Sequence, residues 1–136
     1  FIYPNEEEKN IVYQRLKDSE INYKTYWKND LPDYLHYKDN PFVADIVLIA
    51  DLGYSLFDGK DIEKYSAKFP LGNHGYDPSN IDMHGIFYGI GPDFKTGYTC
   101  GTLNNIDIYP LLAKILRIFP NNNIDGKLER IEFLLK

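Results

Sequence analysis

The chain has 136 residues, 43% of them apolar, which suits one small globular domain and excludes a disordered polymer. Fifteen basic and 20 acidic residues give a formal charge of −5 with no basic block. That excludes a phosphate-backbone surface as the main function, and with it a nucleic acid polymer as partner. The strongly apolar runs, 46–50 and 106–119, are too short or too interrupted by charge to cross a hydrocarbon layer of about 30 Å, so no transmembrane segment is expected in this chain.

Taken in chain order, residues 6–16 place Ile11, Val12 and Leu16 near one another on a helix, with three acidic residues in its first turn, where the macrodipole favours them. Residues 21–27 alternate and are rich in Tyr and β-branched types, which predicts a strand ending near Lys28-Asn29-Asp30. Leu31-Pro32 then begins a turn or short helix, and residues 34–39 run on as a loop to Asn40-Pro41. Residues 44–50 are continuously apolar after Asp45, the pattern of a strand covered on both faces, so this strand should be central. The polar stretch 58–68 suits a hairpin excursion or a short amphipathic helix. Phe69-Pro70-Leu71 leads into a loop around His74, and residues 85–90 predict another strand, stopped by Gly91-Pro92. Residues 106–118 carry a helical apolar stripe that tolerates Pro110 only in its first turn, with Asn104 or Asn105 as cap. Strands and glycine-rich loops followed by helices predict an α/β fold.

The chain opens Phe-Ile-Tyr-Pro without an initiator Met, a basic leader or an apolar signal stretch, so it is expected to be a piece of a longer protein. Cys100 is the sole cysteine and is either a free thiol or paired outside this sequence. No Asn-x-Ser/Thr sequon occurs.

Histidine is scarce, and His74 sits between glycines in a loop, where small neighbours let the backbone hold an imidazole toward a cleft. Neutral imidazole is a zinc donor, but a zinc site needs three or four donors, so a hydrogen-bonded or surface loop histidine stays open as the alternative. Asp77 could contact that imidazole, although Asp before Pro78-Ser79-Asn80 is also ordinary turn chemistry. His36 and His84 are expected to be structural. Asp45 and Asp51 bracket the apolar strand, a place where α/β proteins put ligands, yet caps and turns are the commoner use. No phosphate loop, dinucleotide fingerprint, Gly-x-Ser-x-Gly or Cys-x-x-Cys is present.

The ordered string Leu71-Gly72-Asn73-His74-Gly75-Tyr76-Asp77, Asp82-Met83-His84-Gly85, Gly91-Pro92-x-Phe94 and Asn104-Asn105-Ile106-Asp107-Ile108-Tyr109-Pro110 resembles the nucleotide pyrophosphatase/phosphodiesterase family of the alkaline phosphatase superfamily. Leu31-Pro32-Asp33-Tyr34, Ala50-Asp51-Leu52-Gly53 and Asn121-Asn122-Asn123 fit the same family, so the resemblance runs from about residue 21 to the end. It implies that residues 1–136 are the carboxy-terminal segment of an incomplete catalytic domain, part of an alkaline-phosphatase-like sheet sandwiched by helices. It further implies a site of two Zn²⁺ ions in which His74 is the last metal ligand along the chain.

The nucleophilic Thr or Ser and the other ligands lie upstream in family members, so no catalytic residue is expected in this chain; Thr99 and Thr102 do not match the nucleophile's motif. The implied partners are the remainder of the catalytic domain and a nucleotide or phospholipid phosphodiester substrate. The implied reaction is hydrolysis through a phospho-threonine or phospho-serine, in an extracellular or membrane-anchored ectodomain. The competing reading is a degenerate, non-catalytic homologue that keeps the scaffold as a binding or structural subunit.

Overall fold

The computed structural model describes residues 1–60, 62 and 72–136. Most of the polar stretch expected as a hairpin or short helix, and Phe69-Pro70-Leu71, lie outside the described residues. The chain divides into two compact units, Phe1–Gly85 and Ile86–Lys136.

The first unit is built on one antiparallel ladder. Helix α1, Lys9–Asp18, leads into strand β1, Tyr23–Trp27, which pairs with strand β2, Ile46–Ala50, from Tyr23 opposite Ala50 to Trp27 opposite Ile46. The helix begins later than its acidic residues suggested, because the Glu8 N–H is held by the Asn5 carbonyl at 3.0 Å, in a turn that precedes it. Glu6 instead pairs with Lys9. No residue of α1 is buried, and its main anchor is Tyr13 stacked on Trp27, ring centroids 4.2 Å apart. Below the sheet, Leu31, Val43 and Val47 form a small core to which Tyr26, Leu35 and Ile49 add.

Successive residues of an antiparallel strand aim their backbone groups at alternate edges. Thr25 faces outward on β1, and there side chains close the edge: its N–H reaches Glu20 Oε1 and its carbonyl accepts from Lys17 Nζ at 3.2 Å. On β2 the outward residues are Ile46, Leu48 and Ala50. Ile46 takes the Ile2 N–H at 3.0 Å, while Leu48 and Ala50 have no backbone partner on that side among the described residues. The strand expected to be central therefore has one ladder neighbour here. Its apolar run is fully buried at Ile46 and Val47 and half-buried beyond them.

The second unit contains helix α2, Ile108–Leu116, over a core of Leu111, Ile131 and Leu134. Pro110 falls in the first turn, where its missing N–H costs nothing. Neither asparagine caps the helix. Asn105–Asp107 forms a 3-10 turn, Asp107 occupies the cap position, and its carboxylate is engaged elsewhere. The helix ends earlier than its stripe because Arg117 turns left-handed at φ 57° and the Ile118 N–H folds back to the Ala113 carbonyl at 3.0 Å. The Gly91-Pro92-x-Phe94 motif meets the chain end, with the Lys95 N–H on the Leu134 carbonyl and the Lys136 N–H on that of Asp93.

The strand expected over residues 85–90 does not form. Ile86, Tyr88 and Ile90 are 83%, 89% and 97% exposed. A strand needs a ladder partner for its backbone, and none is present for this segment among the described residues. No helix among them is long and apolar enough to cross a membrane.

Candidate functional site

The histidine loop is fixed at a point on either side of His74. On one side, Asn73 accepts the His74 N–H on its Oδ1 and donates from Nδ2 to Ser55 Oγ, both at 2.9 Å. On the other, Gly75 adopts φ 86°, a conformation that strains any residue with a Cβ, and so lets the chain reverse toward Asp77. Asp77 Oδ1 accepts the Ser79 N–H at 2.8 Å, closing an Asx turn, and the Asp77 carbonyl accepts the Asn80 N–H at 3.1 Å. Its Oδ2 accepts the Tyr34 hydroxyl at 2.6 Å, across 43 positions of sequence.

Burial pushes the Asp77 carboxyl up, but the Tyr34 and Ser79 hydrogen bonds outweigh it and leave the group below the usual carboxylate range. The same bond pushes the Tyr34 hydroxyl up, aided by burial, since giving up its proton would set two negative oxygens face to face. Asp77 is thus an ionised acceptor in a short, charge-assisted bond.

His74 itself is exposed, and its ring has no hydrogen-bond partner among the described residues. An imidazole with a free nitrogen on a fixed backbone is a competent metal donor. No group of three or more His, Cys, Asp or Glu able to hold a metal occurs among the described residues, so His74 does not complete a metal site within them. Asp77 does not serve as its hydrogen-bonding neighbour: the Asp-Pro-Ser turn bends the carboxylate back onto Ser79, and Tyr34 takes the other oxygen.

The remaining candidates make local contacts or stand exposed. The His84 Nε2 lies 3.1 Å from the Pro78 carbonyl, and His36 sits left-handed at the end of the 3-10 turn Asp33–Leu35. Asp45 pairs with Lys9 at 2.8 Å, while Asp51 donates its N–H to the Asn22 carbonyl and accepts from the Tyr54 N–H. Thr99 and Thr102 are exposed, and Cys100 lies beside the second unit's core with no disulfide partner within this sequence. Sequence reasoning passed over Tyr34, whose only signal was its place in the Leu31-Pro32-Asp33-Tyr34 motif.

The family model for type I phosphodiesterase / nucleotide pyrophosphatase matches residues 1–77, more than half of the chain and up to the Asp77 turn. The chain belongs to that family. Among its relatives, ectonucleotide pyrophosphatase/phosphodiesterase family member 5 of Homo sapiens is 38% identical over 123 residues, 89% of this chain and 25% of the human protein. The bis(5'-adenosyl)-triphosphatase enpp4 of Xenopus laevis is 36% identical over 136 residues, 98% of this chain and 28% of that protein.

The solved structure of human ectonucleotide pyrophosphatase/phosphodiesterase 5 superposes with a TM-score of 0.84 at 35% identity, covering 98% of this chain and 34% of that one. An inactive form of the murine protein, in complex with AMP, does so with a TM-score of 0.80 at the same identity. The chain therefore spans a quarter to a third of the relatives it matches. Its helices and small sheet are an α/β piece of an alkaline-phosphatase-like domain in the alkaline phosphatase superfamily, as the motif string implied.

Proposed function

We propose that these 136 residues are the carboxy-terminal segment of a metal-dependent nucleotide pyrophosphatase/phosphodiesterase catalytic domain, to which His74 contributes one zinc ligand. The observation that carries this reading is an exposed imidazole without a partner, held between the Asn73 and Asp77 contacts inside the span that the family model matches. When bound, a pair of zinc ions supplies Lewis-acid stabilisation of the phosphoryl oxygens and activation of the attacking group. This chain's residues fix the direction from which one ligand approaches.

Both units belong to that one domain in this reading. The exposed apolar segment 86–90 and the open side of β2 at Leu48 and Ala50 are surfaces the remainder of the domain covers. The nucleophile, the phospho-threonine or phospho-serine and the other ligands belong to that remainder. A nucleotide phosphodiester or pyrophosphate is the substrate class, supported by the AMP held by the murine relative and by the bis(5'-adenosyl)-triphosphatase name of another. An extracellular or membrane-anchored setting accords with the ectonucleotide relatives.

Metal analysis of the full-length protein tests the reading. Replacing His74 with Ala should weaken zinc binding beyond the roughly 10–100-fold that loss of an outer hydrogen-bonding partner costs, and phosphodiesterase activity should fall with it. Unchanged zinc content in His74→Ala removes His74 from the metal site.

A further inference from the structure

We propose that Tyr34 is a positioning residue for the metal ligand His74: through Asp77 it fixes one end of the histidine loop and so sets the angle at which the imidazole meets its metal. The proposal rests on the reading of His74 as a ligand. Tyr34 is suited to the task because its base is rigid. It lies in the 3-10 turn Asp33–Leu35, between Leu31, which is 1% exposed, and Leu35, which packs on the Leu31, Val43 and Val47 core. Its hydroxyl is therefore carried by a turn anchored in the first unit's core, and a ring with two side-chain torsions loses little freedom when its far end is bound.

The loop reaches that hydroxyl at one residue. Asp77 binds Tyr34 with one carboxylate oxygen and its own turn with the other, so the turn after His74 cannot rotate without breaking the 2.6 Å bond. The Asn73 bond to Ser55 holds the opposite side. With both contacts made, the backbone carrying His74 is fixed at both ends; with one made, it pivots about the Asn73 end. A ligand site demands a fixed approach, and a support that acts through one intervening residue governs affinity by preserving it.

The test is zinc affinity of the metal-free, full-length protein, measured by chelator competition, together with the visible spectrum of its Co²⁺ form. Wild type is compared with Tyr34→Phe, Asp77→Ala, the double variant and His74→Ala. Tyr34→Phe removes one hydroxyl from a half-exposed ring and should leave the melting temperature of the metal-free protein unchanged. It should weaken zinc binding about 10-fold and shift the Co²⁺ bands, a signature that a purely structural residue would not move. Adding Tyr34→Phe to Asp77→Ala should cause no further loss, since the two act as one link. Wild-type affinity and spectrum in Tyr34→Phe, with His74→Ala impaired, overturn the positioning role and leave the ligand intact. Wild-type affinity in His74→Ala overturns the ligand reading and the positioning role together.

Discussion

The two units solve the problem of a small core in opposite ways. The first buries its apolar residues along one ladder and keeps its charges at the periphery, where Lys17 and Glu20 close the edge of β1 and Lys9 joins Asp45. The second has no ladder of its own beyond the Phe94 bridge to Leu135, and it sets a charge inside. Asp107 is 1% exposed and is held by the Arg130 guanidinium and, at 2.7 Å, by the Lys127 N–H, while Arg130 also reaches the Asp125 carbonyl at 2.9 Å. A turn, a helix cap and the segment after the helix thus converge on one carboxylate. The difference teaches where each unit can fail: the first loses its polar contacts one at a time, whereas in the second the loss of one partner strands a buried charge.

The largest expected effect follows from that contrast. Arg130→Met leaves Asp107 buried with the backbone N–H of Lys127 as its remaining strong partner, and breaking a buried pair from one side costs about 3–5 kcal/mol. The Arg130 side chain is 37% exposed, so the lower end, about 3 kcal/mol, is expected. Amide exchange should show protection lost across Ile86–Lys136 and retained in β1 and β2. Equal loss in both units would mean that the buried pair does not organise the second unit in particular.

A smaller effect is expected from packing at the same place. Gly126 lies so close to the Ile106 carbonyl that a Cβ would overlap it, with the Pro110 ring just behind at 3.2 Å. Backbone cannot yield as a flexible side chain does, so Gly126→Ala should cost about 2 kcal/mol, within the range for overpacked sites, again in the second unit alone. The first unit offers a control: Gly53→Ala meets open space and is opposed only by its φ of 88°.

These contacts also mark what the sequence could and could not show. Both strands of the ladder were legible, because β-branched and aromatic residues in 23–27 and the apolar run 46–50 are local signals. The stripe of α2 was legible too, though its ends were not: Asp107 was drawn from capping into an ion pair with a residue 23 positions away, and Arg117 closed the helix in a conformation more usual for glycine. The segment 85–90 carries a strand's composition, but a strand exists only with a partner, and composition does not supply one. In the candidate site, the proposal of His74 came from the ordered motifs around it. Tyr34 was not legible, because its bond to Asp77 spans 43 positions and no periodicity encodes it.

The smallest expected effect sharpens the contrast between peripheral and internal charge through acid titration. Lys17 and then the Thr25 N–H hold the Glu20 carboxyl below its ordinary range. Burial pushes the Asp107 carboxyl up, but Arg130 and the Lys127 N–H overcome it and bring the net shift down. Both groups bind their proton less readily folded than unfolded, so each contributes stability in full above the ordinary carboxylate pKa of about 4 and loses it as pH falls through the depressed folded value. The Thr25 and Lys127 amides, which donate to these carboxylates, report the two titrations separately by NMR. Salt at about 1 M shortens the screening length to about 3 Å and acts on exposed pairs more than on enclosed ones. The Glu20 side chain is 16% exposed beside a Lys17 that is 41% exposed, whereas that of Asp107 is 2% exposed. Added salt should therefore raise the titration midpoint seen at Thr25 toward the ordinary value and leave that at Lys127 nearly in place. Equal movement at both amides would mean that water and ions reach Asp107 as freely as Glu20, and the division between the two units would lose its electrostatic basis.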